Sequence, residues 1–142
     1  MVRVNEQEHF RQVNEWGLFH TISANVDDRT LHEVYLWLFA DSVRAGVGSI
    51  MCSYQHANNT YACGNSKLLN GILKDELGFQ GSVQSDWLAE CNGVEAVLSR
   101  LDMTMLVDGV IWAAGISLLG PHLTEAVLNT TVPLSRLNDM VT

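Results

Sequence analysis

The run Gly81-Ser82-Val83-Gln84-Ser85-Asp86-Trp87 decides the fold of this chain. A short β-type segment follows a helix-like segment here, and it ends in a carboxylate and an indole. Ligands of parallel α/β enzymes lie at the carboxyl ends of the strands, which makes Asp86 a candidate for catalysis. An Asp after a strand also often caps the next helix, and the run taken alone favours that interpretation.

The rest of the chain alternates helices and strands around this run. Buried strands are predicted over residues 47–52, in the run that ends at Asp86, and over residues 101–106. The segment 53–64 between them is polar and turn-rich, as is typical of a functional loop. Capping residues and helical spacing predict helices from Asp27 or Asp28 to about Arg44, from Asn65 or Ser66 to Gly78, from Asn92 to Arg100, and over residues 122–128.

Two of these helices have a clear apolar face. The face expected on the first helix consists of Leu31, Val34, Tyr35, Leu38 and Val43. The face expected on the second helix consists of Leu68, Leu69, Ile72, Leu73 and Leu77.

Composition limits the possible partners. The 142 residues are 47% hydrophobic and 17% charged, which is typical of one folded domain or a piece of one. A net charge of −8 disfavours nucleic acid and anionic membrane surfaces as partners, and it does not hinder a neutral sugar. No apolar run approaches the roughly 20 residues that cross a bilayer, and the first residues lack the apolar core of a secretory signal. The five histidines are scattered, so no metal site is expected.

Five ordered blocks carry a family resemblance. They are residues 5–12 (NEQEHFRQ), 23–33 (SANVDDRTLHE), 45–54 (AGVGSIMCSY), 76–81 (ELGFQG) and 85–87 (SDW). Together they resemble fungal β-glucosidases of glycoside hydrolase family 3. The resemblance implies retaining hydrolysis of terminal non-reducing β-D-glucosyl residues, from cellobiose or other β-glucosides, without a metal or organic cofactor.

The fold class predicted is α/β. Repeated β-α-β units require a parallel sheet with right-handed crossovers, and three strands form an arc and not a closed barrel. The resemblance implies a (β/α)8 barrel, which usually needs about 250 residues. We therefore expect residues 1–142 to form part of the family's N-terminal barrel domain, roughly its second half.

The resemblance also assigns roles to site residues. It implies that Asp86 is the nucleophile that attacks the anomeric carbon. Met51, Tyr54 and Trp87 would line the sugar pocket, Tyr54 with its hydroxyl near the nucleophile. Core packing is the alternative for Met51 and for Trp87. Because side chains alternate along a strand, Trp87 can share the pocket with Asp86 only if the strand has already turned into a loop.

The other acids have simpler interpretations. Asp102 lies near the start of its strand, where barrels place residues that serve stability, and is expected to be structural. Glu33, Glu76 and Glu95 fall on helices and are expected to be solvated.

Departures from the family pattern qualify the activity. A Lys-His pair that binds sugar hydroxyls in the family would precede residue 5, and the family's acid/base glutamate belongs to a second domain after residue 142. Little activity is therefore expected of this chain alone. The alternatives are a degenerate sugar-binding or structural remnant and a β-xylosidase of the same family. Substituted positions relative to the family are Leu38 for proline, Gln55-His56 for Asn-Gln, Gln84 for methionine and Leu106-Val107 for Pro-Gly.

Cysteines and sequons bear on location. Cys52 and Cys63 flank the polar loop, where a local disulfide is geometrically reasonable, and two reduced thiols are the alternative. Sequons at Asn58 and Asn129 favour the disulfide, since both features belong to an oxidising route. Cys91 is then left as a free thiol. Family resemblance implies secretion.

Overall fold

A computed structural model describes residues 21–89, 92–105 and 119–142. The family block 5–12, Cys91 and the Leu106-Val107 pair lie outside the described residues. The strands are β1 (Ser23–Ala24), β2 (Ser49–Cys52), β3 (His56–Ala57), β4 (Thr60–Tyr61) and β5 (Ser82–Ser85). The helices are α1 (residues 28–44), α2 (Lys67–Glu76), α3 (Gly93–Leu98), α4 (Gly120–Leu128) and α5 (Leu134–Met140), and Ala62–Gly64 forms a 3-10 turn.

The central sheet consists of β2 and β5, which run parallel. Ile50 pairs with Val83 and Met51 pairs with Gln84, so the two strands end together. Ile50 and Val83 are buried, whereas Met51 and Gln84 on the opposite face are half-buried. The sheet therefore has one face covered by the main core and one face that is only partly covered.

The third parallel strand predicted over residues 101–106 is largely absent from the described residues. It is reduced to a single bridge between Gln84 and Met103. Ser85 donates its N–H to the carbonyl of Met103 at 2.9 Å, which continues the pairing by one residue. Residues 101–105 alternate apolar and polar side chains, as a strand would. Their backbone pairing with β5 is nevertheless short.

Helix α1 begins where the sequence predicts and buries part of the predicted face, since Leu31, Tyr35 and Val43 pack in the main core. The Asp27 carboxylate accepts the Thr30 N–H at 3.0 Å, as expected of an N-cap. The helix changes from α-type to π-type hydrogen bonding over Leu31–Leu36 and returns to α-type over Trp37–Arg44. The five-residue step from Leu31 to Leu36 places both residues in the core. Val34 and Leu38, which ordinary helical spacing assigned to the core, are instead more than half exposed.

Helix α2 buries the predicted face. Leu68, Leu69, Ile72 and Leu73 are buried, and Leu77 packs against them. The carboxamide of Asn65 accepts the N–H of Leu68 at 3.1 Å, which satisfies a donor at the start of the helix. Gly78 follows with a φ of +66°, a conformation that glycine adopts without a steric penalty.

The polar loop 53–64 contains structure that the sequence did not predict. Strands β3 and β4 form a short antiparallel hairpin, and β3 also pairs in parallel with β1. The turn of the hairpin is made by Asn58 and Asn59, both with positive φ. The loop is thus a folded unit that packs beside the carboxyl end of β2.

The last helices form a second, smaller core. Buried Val97, Leu119, Ala126 and Val132 belong to this cluster. Helix α4 starts at Gly120, two residues before the predicted segment 122–128, and α5 was not predicted at all. In the part of the chain that the structure describes, no helix is long and apolar enough to cross a bilayer. Mixed α/β content is therefore established, with small sheets.

Candidate active site

Asp86 lies immediately beyond the carboxyl end of β5. Its backbone N–H donates to the carbonyl of Cys52 at 2.9 Å, which extends the β2–β5 pairing by one bond. Because both parallel strands end here, Asp86 occupies the edge where parallel sheets place their ligands. The side chain is half-buried.

A tight turn fixes the carboxylate. Asp86 Oδ1 accepts the N–H of Trp87 at 2.6 Å, and the Asp86 carbonyl accepts the N–H of Ala89 at 3.0 Å. Leu88 has a φ of +61°, which is unfavourable for a residue with a branched side chain and typical of strain kept at a functional site. The next helix in the described residues begins at Gly93, so Asp86 does not serve as its N-cap.

Trp87 lies in the same turn and not in the strand. The strand ends at Ser85, so the alternation that would separate Asp86 from Trp87 has already stopped. The indole is 49% exposed, which excludes full burial in the core of the described residues. An exposed aromatic face beside a carboxylate suits the apolar C–H side of a pyranose.

Met51 and Tyr54 occupy different environments. Met51 is half-buried on the partly covered face of the sheet, in register with Gln84. Tyr54 is 6% exposed and belongs to the main core. Its position two residues beyond β2 puts it at the same sheet edge as Asp86, and a role for its hydroxyl beside the nucleophile stays a prediction.

Two buried polar side chains flank Tyr54. Ser53 and Gln55 are almost completely buried, and Ser53 Oγ and Gln55 Oε1 have no hydrogen-bond partner among the described residues. Buried polar atoms without partners are uncommon in folded proteins. The sequence indicated Gln55 only as a departure from the family pattern, and nothing in the local pattern indicated its burial.

The Cys52–Cys63 disulfide predicted from the sequence is present. The Cα atoms are 5.2 Å apart, which is usual for this bond. It joins the end of β2 to the 3-10 turn after the hairpin. Since the carbonyl of Cys52 also accepts the Asp86 N–H, the bridge braces the edge that carries the nucleophile candidate.

The two sequon asparagines are both exposed. The Asn58 carboxamide accepts the N–H of Val26 and donates to the Val26 carbonyl, each at 2.9 Å. Asn129 follows α4 and accepts the N–H of Thr131 at 3.0 Å. Modification of either side chain stays a prediction.

The remaining acids lie as the sequence predicts. Glu33, Glu76 and Glu95 are exposed on helices. Asp102 is structural: one carboxylate oxygen accepts the N–H of Val83 at 2.7 Å, and the other lies 2.6 Å from a guanidinium nitrogen of Arg136. Arg136 was not singled out in the sequence, because its helix was not predicted.

The fold and the site define a parallel α/β domain with a carboxylate at the carboxyl end of a strand. A model of the family described as "Glycosyl hydrolase family 3 N terminal domain" matches residues 12–134. The chain belongs to glycosyl hydrolase family 3.

Named relatives agree with this assignment. "Probable beta-glucosidase E" of Emericella nidulans is 66% identical over 139 residues, which cover 98% of this chain and 14% of the relative. The protein of the same name from Aspergillus oryzae is 64% identical and is covered to 13%. The chain therefore spans about 14% of the length of these curated relatives.

Solved structures match the backbone closely. A beta-glucosidase from Chaetomium thermophilum superposes with a TM-score of 0.88 at 57% identity, covering 98% of this chain and 17% of that one. A family 3 beta-glucosidase from Neurospora crassa gives a TM-score of 0.87 at 55% identity, with 96% and 17% covered. Beta-glucosidase 3B from Thermotoga neapolitana, whose structure contains glucose, gives 0.77 at 28% identity, with 85% and 17% covered.

Proposed function

We propose that this chain supplies the nucleophile of a retaining β-glucosidase that hydrolyses terminal non-reducing β-D-glucosyl residues. The observation that carries the proposal is the position of Asp86, at the carboxyl edge of two parallel strands in a family 3 domain. The relatives are named β-glucosidases, which favours a glucoside over a xyloside as the substrate.

The reaction needs two carboxyl groups. In retaining glycosidases the nucleophile and the acid are about 5 to 5.5 Å apart, one attacking the anomeric carbon and the other protonating the leaving oxygen. We assign the attack to Asp86. Among the described acids, Asp102 is bonded within the fold, and the helix glutamates are exposed on other elements. The family resemblance places the acid/base glutamate in a second domain, and we propose that the acid comes from that domain.

The sugar is proposed to sit at the carboxyl end of the sheet, beside its partly covered face. Met51 and Gln84 lie there, and the Trp87 indole is exposed beside Asp86. Closure of this face by further strands would make the interior of a (β/α)8 barrel, of which this chain would form roughly half. Covalent catalysis by a carboxylate needs no metal or organic cofactor.

We further propose an extracellular location. The Cys52–Cys63 disulfide suits an oxidising compartment, and the exposed sequons at Asn58 and Asn129 suit the secretory route.

A chimera tests the proposal. The matched segment of the Emericella nidulans relative is replaced by the 139 matched residues of this chain, and the product is incubated with a 2-fluoro-2-deoxyglucoside that traps the glycosyl-enzyme. Mass spectrometry of the digested protein should locate the label on Asp86. Labelling of any other carboxylate in an active chimera would contradict the assignment, and the unmodified relative serves as the control for trapping.

A further inference from the structure

Arg136 is a buried arginine, and each of its three guanidinium nitrogens donates to an acceptor. Its side chain is 6% exposed. Nε donates to the carbonyl of Val97 at 2.7 Å, and Nη2 donates to the carbonyl of Leu101 at 2.8 Å and to Asp102 Oδ1 at 2.6 Å. Nη1 donates to Asp139 Oδ2 at 2.6 Å. Such a fan of bonds uses the fixed geometry of the guanidinium and ties α5 to the segment 97–102.

The bond to Asp102 continues into the strand that carries the nucleophile candidate. Asp102 Oδ2 accepts the N–H of Val83 at 2.7 Å, and the carbonyl of Val83 accepts the N–H groups of Asp102 and Met103 at 2.8 and 3.1 Å. Val83 is the second residue of β5 and precedes Asp86 by three positions. The Asp102 carboxylate therefore bonds an N–H group of β5 that a longer third strand would otherwise bond with its backbone.

We propose that Arg136 is a positioning residue for Asp86, acting through Asp102 on the register of β5. The proposal rests on the proposed function, since it assumes that Asp86 is the nucleophile. A carboxylate as buried as that of Asp102, 8% exposed, is unfavourable without a partner. The guanidinium supplies the partner at 2.6 Å, and the Val83 N–H donates to the other oxygen of this ion-paired carboxylate.

Arg100 provides a matched control. Its guanidinium pairs with the same Asp139, at 2.5 Å, and its Nε donates to Asn70 on α2 at 2.8 Å. It therefore shares the link to α5, and these bonds do not involve Asp102 or β5. A general loosening of α5 should follow from either substitution, whereas a change in β5 should follow only from the loss of Arg136.

Amide hydrogen exchange of the full 142-residue chain separates the two effects. In Arg136→Met the exchange rates at Val83 and Asp86 should rise by about tenfold or more relative to the exchange rate of Leu69 in α2, whose N–H donates to the Asn65 carbonyl. The Val83 amide proton resonance should also move upfield, as expected for a weaker hydrogen bond. In Arg100→Met both signals should stay within about twofold of the parent. Equal changes at Val83 and Leu69, or none at Val83, would overturn the proposal.

A second variant covers a failure to fold. Arg136→Met leaves the Asp102 carboxylate uncompensated, so the double variant Arg136→Met with Asp102→Asn removes that charge and keeps an oxygen for Val83. It should fold and still show faster exchange at Val83 than the parent, and parent-like exchange would count against the positioning role. Amide hydrogen exchange can be measured without any enzyme activity. If the exchange rates change as expected but the chimera is inactive, the proposed function is contradicted and the role of Arg136 in β5 is supported.

Discussion

At the scale of single residues, the backbone around Asp86 does most of the positioning. The strand pairing ends at the Cys52 carbonyl, and the turn that follows fastens Oδ1 to the next N–H group. The positive φ of Leu88 costs about 1–3 kcal/mol in such turns, and the surrounding pairing must offset it. The carboxylate is therefore held before any substrate arrives, as electrostatic and nucleophilic catalysis require.

Asp86→Asn separates the fold of this turn from its chemistry. The amide oxygen can still accept the Trp87 N–H, so thermal stability of the chimera should change little. The nucleophile is lost, and turnover of an aryl β-glucoside should fall by about 10³-fold or more. The control is Glu33→Gln on the exposed face of α1, which should keep full activity. An Asp86→Asn chimera with activity near that of the parent would rule out Asp86 as the nucleophile.

Sequence reasoning found the residues whose role depends on neighbours in the chain. Asp86 follows a recognisable β-run, and Cys52 and Cys63 bracket a short loop, so local information was enough to place Asp86 at a strand end and to suggest the disulfide. The nucleophile role of Asp86 came from the family resemblance and stays a prediction. The burial of Gln55 depends on an unpredicted hairpin, and the fan of bonds made by Arg136 joins an unpredicted helix to distant parts of the chain. Contacts between residues that are far apart in the chain produce no periodic pattern in the sequence from which they could be predicted.

At the scale of elements, the structure differs from the sequence-based expectation where the backbone hydrogen bonding is not the regular type assumed. The predicted face of α1 assumed about 3.6 residues per turn, and the π-type segment Leu31–Leu36 rotated Val34 and Leu38 outward. Helix α2 is also π-type, over Lys67–Glu76. Its predicted face is nevertheless buried, because its apolar residues occur in the adjacent pairs Leu68-Leu69 and Ile72-Leu73, which tolerate a wider turn. The third strand shrank to one bridge, since Asp102 bonds to Val83 through its side chain where a longer ladder would use the backbone.

The disulfide is a covalent link between elements. It closes a loop with a sequence separation of 11, and a bridge of this kind contributes about 2–4 kcal/mol. The double substitution Cys52→Ala with Cys63→Ala should therefore lower the free energy of unfolding by that amount in urea denaturation. Adding a reductant should destabilise the parent and leave the double variant unchanged. Equal stability of parent and variant would show that the bridge does not constrain the loop.

His32 joins the two long helices in a pH-dependent way. Its Nδ1 lies 2.6 Å from the Asp28 carbonyl oxygen and its Nε2 lies 3.2 Å from Glu76 Oε2 on α2. These two acceptors, the Asp28 carbonyl first, raise the pKa of the imidazole above its usual 6.5. Lys67 also faces this group, since it pairs with the Asp28 carboxylate at 2.6 Å.

The sign of the pH effect follows from the raised pKa. The charged imidazole donates to both acceptors, so its contribution to stability is complete below about pH 6.5 and is lost as the pH rises through the higher pKa of the folded state. His32→Gln should lose this pH dependence. Urea unfolding of parent and variant at about pH 5.5 and about pH 8.5 measures it, with the stability difference between them larger at the lower pH. A difference that grows toward the higher pH would contradict the protonated link.

At the scale of the whole molecule, the described residues contain the sheet edge that carries the proposed nucleophile, without the surroundings that glycoside hydrolysis needs. The central sheet pairs two strands over four residues, and one of its faces is partly uncovered. Exposed Trp37 and Leu38 on α1 add apolar surface of the kind that neighbouring elements usually cover. Relatives that are named β-glucosidases are about seven times longer than the matched segment, judging from the 14% covered.

We therefore expect the 142-residue chain alone to show no measurable hydrolysis of an aryl β-glucoside. Two deficits of the described residues predict this result: no second carboxyl among them is placed to protonate the leaving group, and the sheet face beside Asp86 is only partly covered, so the glucose is poorly oriented. A dinitrophenyl glucoside distinguishes the lack of an acid from the poor orientation of the glucose, because its leaving group departs without being protonated. Slow release from that substrate, abolished by Asp86→Asn, would mean that the pocket forms and only the acid is lacking. Release that persists in the Asp86→Asn variant would instead come from another group, and hydrolysis of the ordinary aryl glucoside would refute the expectation that the catalytic acid lies outside these residues.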